Sequence, residues 1–207
     1  MNGFREVGRC RAPGSAPRGL AFDGTWLWYV DGESRSLYAL TQSGRVRRQF
    51  LLRSAPLGIA YYRRTVLVVS DAPRTLRFFR RDGVEVNRRP LPGIPGGLGG
   101  FDVRNDRMWL ALDGVLEQRS LATGELVDSS RGPDHPGGLV AGLRELWVGD
   151  RTQAAVDRII LPAGQSERFR LTEAPAAIAS DRSGRFWAAA VHRPWIIAYE
   201  IESGNAK

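Results

Sequence analysis

The chain has 207 residues, 43% of them hydrophobic and 25% charged, with a formal net charge of +8. That length supports one sizeable core, and no apolar run approaches the ~18 residues that a membrane helix needs. A single cysteine, Cys10, excludes an internal disulfide, and the two histidines show no zinc-ligand spacing. The start, "MNGFREVGRC", lacks the apolar stretch of a signal peptide, so a cytoplasmic, monomeric protein without membrane contact is expected.

In chain order, "GFREVGRCRAP" reads first as a polar strand over residues 4–11, with Gly3 in a turn position. An inner strand is predicted from Gly19 to Phe22, a second from Trp26 to Val30, a third from Leu37 to Leu40 and a polar outer one from Val46 to Leu51. These short runs favour β-branched and aromatic residues and are bounded by Gly, Asp, Ser or Pro, with no helical spacing. The same order then returns. "PRGLAFDG" at 17 is followed by "PLGIAYYR" at 56, "PGGLGGFDV" at 95, "PGGLVAGL" at 136 and "PAAIASDR" at 175. "LWYVD" at 27 is followed by "LVVSD" at 67, "MWLALD" at 108, "LWVGD" at 146 and "FWAAAVH" at 186, and turn glycines fall at Gly44, Gly83, Gly124, Gly164 and Gly204.

A repeat of about 40 residues with four strands is that of a propeller blade. The predicted fold is therefore all-β: a single five-bladed β-propeller over residues 1–207 with four antiparallel strands per blade. The blades are 17–52, 56–91, 95–130, 136–172, and 175–204 joined by 4–11. The last copy lacks an outer strand and the N-terminal segment supplies one, so the ring is expected to close by pairing the first strand onto the last blade. Closure removes an open sheet edge, which would invite aggregation.

The pattern P-x-G-[LI]-A-x-D-G…L-W-x-x-D…L-x-x-L…G-x-V is clearest over 17–46 and recurs over 56–84 and 136–150. It resembles NHL-type repeats and those of streptogramin-lyase-like propellers. The resemblance implies one "upper" face around a central funnel. That face would carry Arg18, Leu57, Gly96, Gly137 and Ala176, together with the loops after Asp31, Asp71, Asp113, Asp150 and Val191. Streptogramin lyases look like repeated "PHG" and "LWFTE", with His and Glu chemistry and a divalent metal. Here Arg18 or small residues replace that histidine, and Asp31, Asp71 and Asp150 replace the glutamate. None of the five lead-in positions is Asp, Glu or Asn, as lactonase relatives would require, and the Gln-Gly-Leu and Glu-Ser-Thr-Gly motifs of plant-type glutaminyl cyclases are absent.

Recurring residues read as scaffold. Asp31, Asp71 and Asp150 are expected to occupy equivalent positions and to bond loop amides, and Trp28, Trp109, Trp147 and Trp187 to fill the core between blades. Residues that break the repeat are the site candidates. His135 and His192 are the candidate proton-transfer groups; with Arg18, Asp134, Arg193 and Trp195 they form an expected ligand site on the upper face of the fourth and fifth blades. The expected function is a binding scaffold for a small molecule or peptide, without cofactor or bound metal. Two alternatives stay open: a lyase or lactone hydrolase using a divalent cation, and an anion or RNA binder. The second would use the arginine-rich lower turns, among them Arg63, Arg64, Arg80 and Arg81, with Tyr61, Tyr62, Phe78 and Phe79 nearby.

Overall fold

The computed structural model describes residues 3–71, 73–91, 93–94, 97–181 and 183–202, so Gly96 and Gly204 lie outside the described residues. β1 (Gly3–Arg11) precedes the first blade, formed by β2 (Pro17–Phe22), β3 (Leu27–Asp31), β4 (Ser36–Leu40) and β5 (Val46–Leu51). The second holds β6 (Pro56–Tyr62), β7 (Thr65–Ser70), β8 (Thr75–Phe79) and β9 (Glu85–Pro90). The third holds β10 (Gly100–Arg104), β11 (Arg107–Leu112), β12 (Val115–Ser120) and β13 (Leu126–Arg131). The fourth holds β14 (Pro136–Ala141), β15 (Glu145–Asp150), β16 (Ala155–Ile160) and β17 (Gln165–Arg170). The fifth is built from β18 (Pro175–Ser180), β19 (Arg185–Ala190), β20 (Trp195–Glu202) and β1, in the order β1-β20-β19-β18. The five-bladed all-β ring and its closure by the N-terminal strand are as expected.

Burial follows strand position. All five residues of β3 are buried, whereas every residue of β13 is exposed. A second strand sits between two neighbouring sheets and must be apolar on both faces; an outer strand meets water. Apolar clusters fill each junction: Trp28 with Ile59 and Phe79 between blades one and two, Trp147 with Phe186 and Tyr199 between four and five, and Trp187 with Leu20 and Tyr29 between five and one. The tryptophans thus serve the core, although Trp109 is only half-buried. At the closure, Phe4 on β1 meets Trp147, Phe169, Phe186 and Tyr199 in edge-to-face contacts with centroids 5.1–6.0 Å apart.

Four of the five lead-ins carry a β-bulge. The register slips between Pro17 and Gly19, Pro56 and Gly58, Pro136 and Leu139, and Pro175 and Ala177. A bulge sets one residue outside the ladder and re-aims it, which places Arg18, Leu57 and Ala176 at the upper rim.

Pairing also corrects one expected equivalence. Asp31 pairs with Ser36 and Asp150 with Ala155, but in the second blade it is Ser70 that pairs with Thr75. Asp71 therefore falls one residue beyond the position of Asp31. A one-residue shift turns a side chain to the other side of the strand.

Candidate functional site

The propeller axis is nearly closed. A cavity of about 20 Å³, lined by Leu20, Phe22, Tyr61, Asp102, Val140 and Ser180 among others, is what the five inner strands leave between them there. Higher up, glycine permits contact of backbone on backbone. A Cβ at Gly137 would collide with the Pro175 carbonyl. One at Gly138, whose φ is +98°, would collide with the Ile178 amide nitrogen and lie 2.8 Å from the Ala177 carbonyl carbon.

The upper rim holds the predicted residues, but as separate features. His135 precedes β14, and its carbonyl accepts a hydrogen bond from the Arg151 amide at 2.9 Å; His192 lies in the β19–β20 loop, where the Val191 amide donates to the Ala174 carbonyl at 2.9 Å. Both histidines are exposed, and they occupy one face in adjacent blades. Arg193 is 3.3 Å from Glu173 in an ion pair, Arg18 lies over Gly32 of its own blade, and Asp134 faces Gly114 in the third blade. Trp195, expected to wall a pocket, packs against the apolar cluster between blades four and five and pairs with Arg11 across the closing ladder. Among the described residues, no side-chain hydrogen bond, ion pair or ring contact joins any two of these six residues.

The strand-end acids divide. Asp31, 1% exposed, accepts hydrogen bonds from the amides of Ala16 (2.7 Å) and Ser34 (2.8 Å) and from the Tyr29 hydroxyl (3.3 Å). Asp150 accepts from the Thr152 hydroxyl (2.7 Å) and from the amides of Thr152 and Gln153 (2.9 and 3.1 Å), and its other oxygen is 3.2 Å from Arg168. These two do the loop-ordering expected of them. Asp71 is half-exposed and 3.8 Å from the Arg74 guanidinium. Among the described residues, no three His, Cys, Asp or Glu side chains gather as a metal-holding group.

Burial pushes the Asp150 carboxyl up, but hydrogen bonds from Thr152 and Gln153 and the charge of Arg168 outweigh it and hold the group below the usual carboxylate range. A carboxylate depressed in the folded state stabilises above its unfolded value, about 3.9, and that contribution is lost as pH falls through the folded value. Asp150→Asn should therefore be less stable than the parent at pH 7, with the gap narrowing below about pH 4. Melting temperatures across pH 3–7 check this; a gap independent of pH rules it out.

On the lower face, the rings of Trp26, Tyr62 and Phe78 are covered by the protein's own arginines. Trp26 lies between Arg48 and Arg81, with guanidinium carbons 5.5 and 4.9 Å from the ring centroid, and Arg63 covers Tyr62 at 5.2 Å. Arg81, Arg63 and Arg80 pair with Asp23, Asp106 and Asp82 at 2.9, 2.9 and 2.7 Å.

A different departure from symmetry lies at the side of the ring. In the outer strands, Phe50 pairs with Leu37, Arg89 with Leu76, Ser130 with Leu116, Phe169 with Val156 and Cys10 with Ile196, so these five are structural equivalents. Four of them reach across the seam to the next blade. Phe50 lies on Gly83 and Cys10 on Gly44, Arg89 donates to the Leu121 carbonyl at 2.7 Å, and Phe169 meets Phe4. Ser130 is too short to do so, and Gly164, the turn glycine opposite it, has nothing within 4 Å of a Cβ position. The seam between blades three and four therefore opens into a groove of about 820 Å³, lined by Trp109, Leu116, Leu143, Ile159 and Leu161 and by polar residues including Arg131 and Asp157. A cleft of about 560 Å³ also lies beside blades one and two, but no tryptophan lines it.

No protein-family profile and no curated protein matches this chain. Solved structures do. Glutaminyl cyclase from Myxococcus xanthus is similar over 97% of both chains, with a TM-score of 0.80 and 14% identity. Virginiamycin B lyase from Staphylococcus aureus is similar over 90% of this chain and 66% of its own, with a TM-score of 0.53 and 17% identity. A protein of unknown function from Bacteroides thetaiotaomicron is similar over 98% of this chain and 77% of its own, with a TM-score of 0.63 and 11% identity. At such identities the likeness defines the class: a five-bladed β-propeller, with glutaminyl cyclase and streptogramin-lyase structures among its neighbours.

Proposed function

We propose that this propeller is a recognition scaffold that binds a small molecule or peptide across the crown of its upper loops, with exposed His135, His192, Arg18 and Arg193 as its polar contacts. The narrow axis supports this reading: a cavity of about 20 Å³ between the inner strands is too small for a substrate, whereas the crown loops are exposed. The rim suits an anionic group, because Arg18 can bind carboxylate or phosphate through two parallel hydrogen bonds.

Two histidines make the reading easy to test. In an NMR screen of small aromatic and anionic compounds and short peptides, binders should shift the ring signals of His135 and His192, and His192→Ala should abolish binding with little change in melting temperature. Hits that move only groups elsewhere on the ring, or no hits at the crown, would overturn it. The likeness to glutaminyl cyclase suggests a second reading, because the superposition runs end to end. It predicts ammonia release from peptides beginning with glutamine, in an assay that needs no knowledge of the site.

A further inference from the structure

We propose that the groove between blades three and four docks an extended segment of a partner protein, which adds as a strand to the outer edge of β13 and buries one aromatic side chain against Trp109. This site is separate from the crown and does not depend on it.

The missing seam residue defines what fits. Phe50 and Phe169 place a phenyl ring on the outer strand at two of the seams, and Ser130 leaves that volume open beside a half-buried tryptophan. An incoming aromatic ring would match the rings at the Phe50 and Phe169 seams, and aromatic pairs favour offset or edge-on contact.

The edge of β13 points to the same occupant. Other outer strands carry clustered charges (Arg47 and Arg48 on β5, Glu167 and Arg168 on β17), a device that blocks strand addition. β13 reads "LVDSSR", with Leu126 and Val127 53% and 45% exposed. Its charges, Asp128 and Arg131, have opposite signs, and neither is in an ion pair among the described residues. A strand carrying a base opposite Asp128 and an acid opposite Arg131 complements both. A second copy of β13 could also meet these charges, but it brings no aromatic ring to the groove. Strand addition supplies affinity through main-chain hydrogen bonds, and the pocket supplies specificity.

The test selects nine-residue random peptides displayed on phage against the intact protein. Enriched sequences should share Phe, Tyr or Trp at one fixed position and should slow amide exchange over residues 126–131. Their binding should fall at least tenfold in Ser130→Phe, which fills the groove from within. It should fall likewise in Val127→Lys, which charges the exposed edge and leaves the groove intact. The second variant keeps the test decisive if the first fails to fold. The proposal is overturned by no enrichment, by enriched sequences without an aromatic residue, or by undiminished binding to the variants. It also fails if free 3-phenylpropionate binds as tightly as the peptides, or if the chain dimerises through residues 126–131 and Val127→Lys abolishes the dimer.

Discussion

Deleting the chain up to Arg11 is expected to leave a protein that no longer folds to a stable monomer. β1 supplies the outer strand of the fifth blade, pairing from Gly3 with Glu202 to Arg11 with Trp195. It also supplies Phe4, whose ring touches four aromatic neighbours at the seam of blades four and five. Loss of a large core aromatic alone costs about 3–5 kcal/mol, against a total stability of about 5–15 kcal/mol for a domain. The deletion further strips the edge of β20, exposing unpaired backbone that invites association. Calorimetry and size-exclusion chromatography read the outcome. Phe4→Ala should show a smaller fraction of the loss, about 2–4 kcal/mol, because the ring is only partly buried. A truncated chain that stays monomeric with the parent's melting temperature would refute the closure.

Gly138→Ala is the single substitution expected to do the most damage. Its methyl group would strike the backbone of the fifth blade at Ala177 and Ile178, atoms that cannot rotate away. It would also force an L side chain into a positive-φ conformation. Gly24 separates the two effects: its φ is +92°, and nothing lies within 4 Å of a Cβ there. Gly24→Ala should lose about 1–3 kcal/mol from backbone strain alone. Gly138→Ala should lose more than about 4 kcal/mol, the range reserved for a severe local mechanism. Urea midpoints compare them, and equal losses would show that the axis can yield.

Much of the architecture was legible in the amino-acid order because a propeller writes its unit five times. Spacing near 40 residues, doubly apolar second strands and a spare polar segment at the start implied both blade number and closure. Register was harder to read. "LVVSD" looks like "LWYVD", yet pairing with Thr75 puts Ser70, not Asp71, in the place of Asp31. The groove was hidden for a related reason. Counted from each proline, Phe50, Arg89 and Phe169 lie at one spacing, but Ser130 lies two residues further on, the net of a longer third lead-in, a shorter β11–β12 turn and a longer β12–β13 connection. Only the ladder shows that Ser130 stands in that column. Nor could composition reveal that the funnel is shut, since that depends on how closely five backbones approach.

The pairing of Gly3 with Glu202 also bears on how the protein is made. Among the strands of the ring β1 is synthesised first and its partner β20 last, so β1 waits unpaired while the strands between them emerge. Contacts so distant in sequence are slow to form, because the loop-closure entropy must be lost before the contact is gained. Blades one to four can assemble from near neighbours as they appear, whereas the fifth cannot. The nascent chain thus passes through a stage in which an unpaired, aromatic-bearing strand and an incomplete ring coexist, a period when chaperones have most to protect.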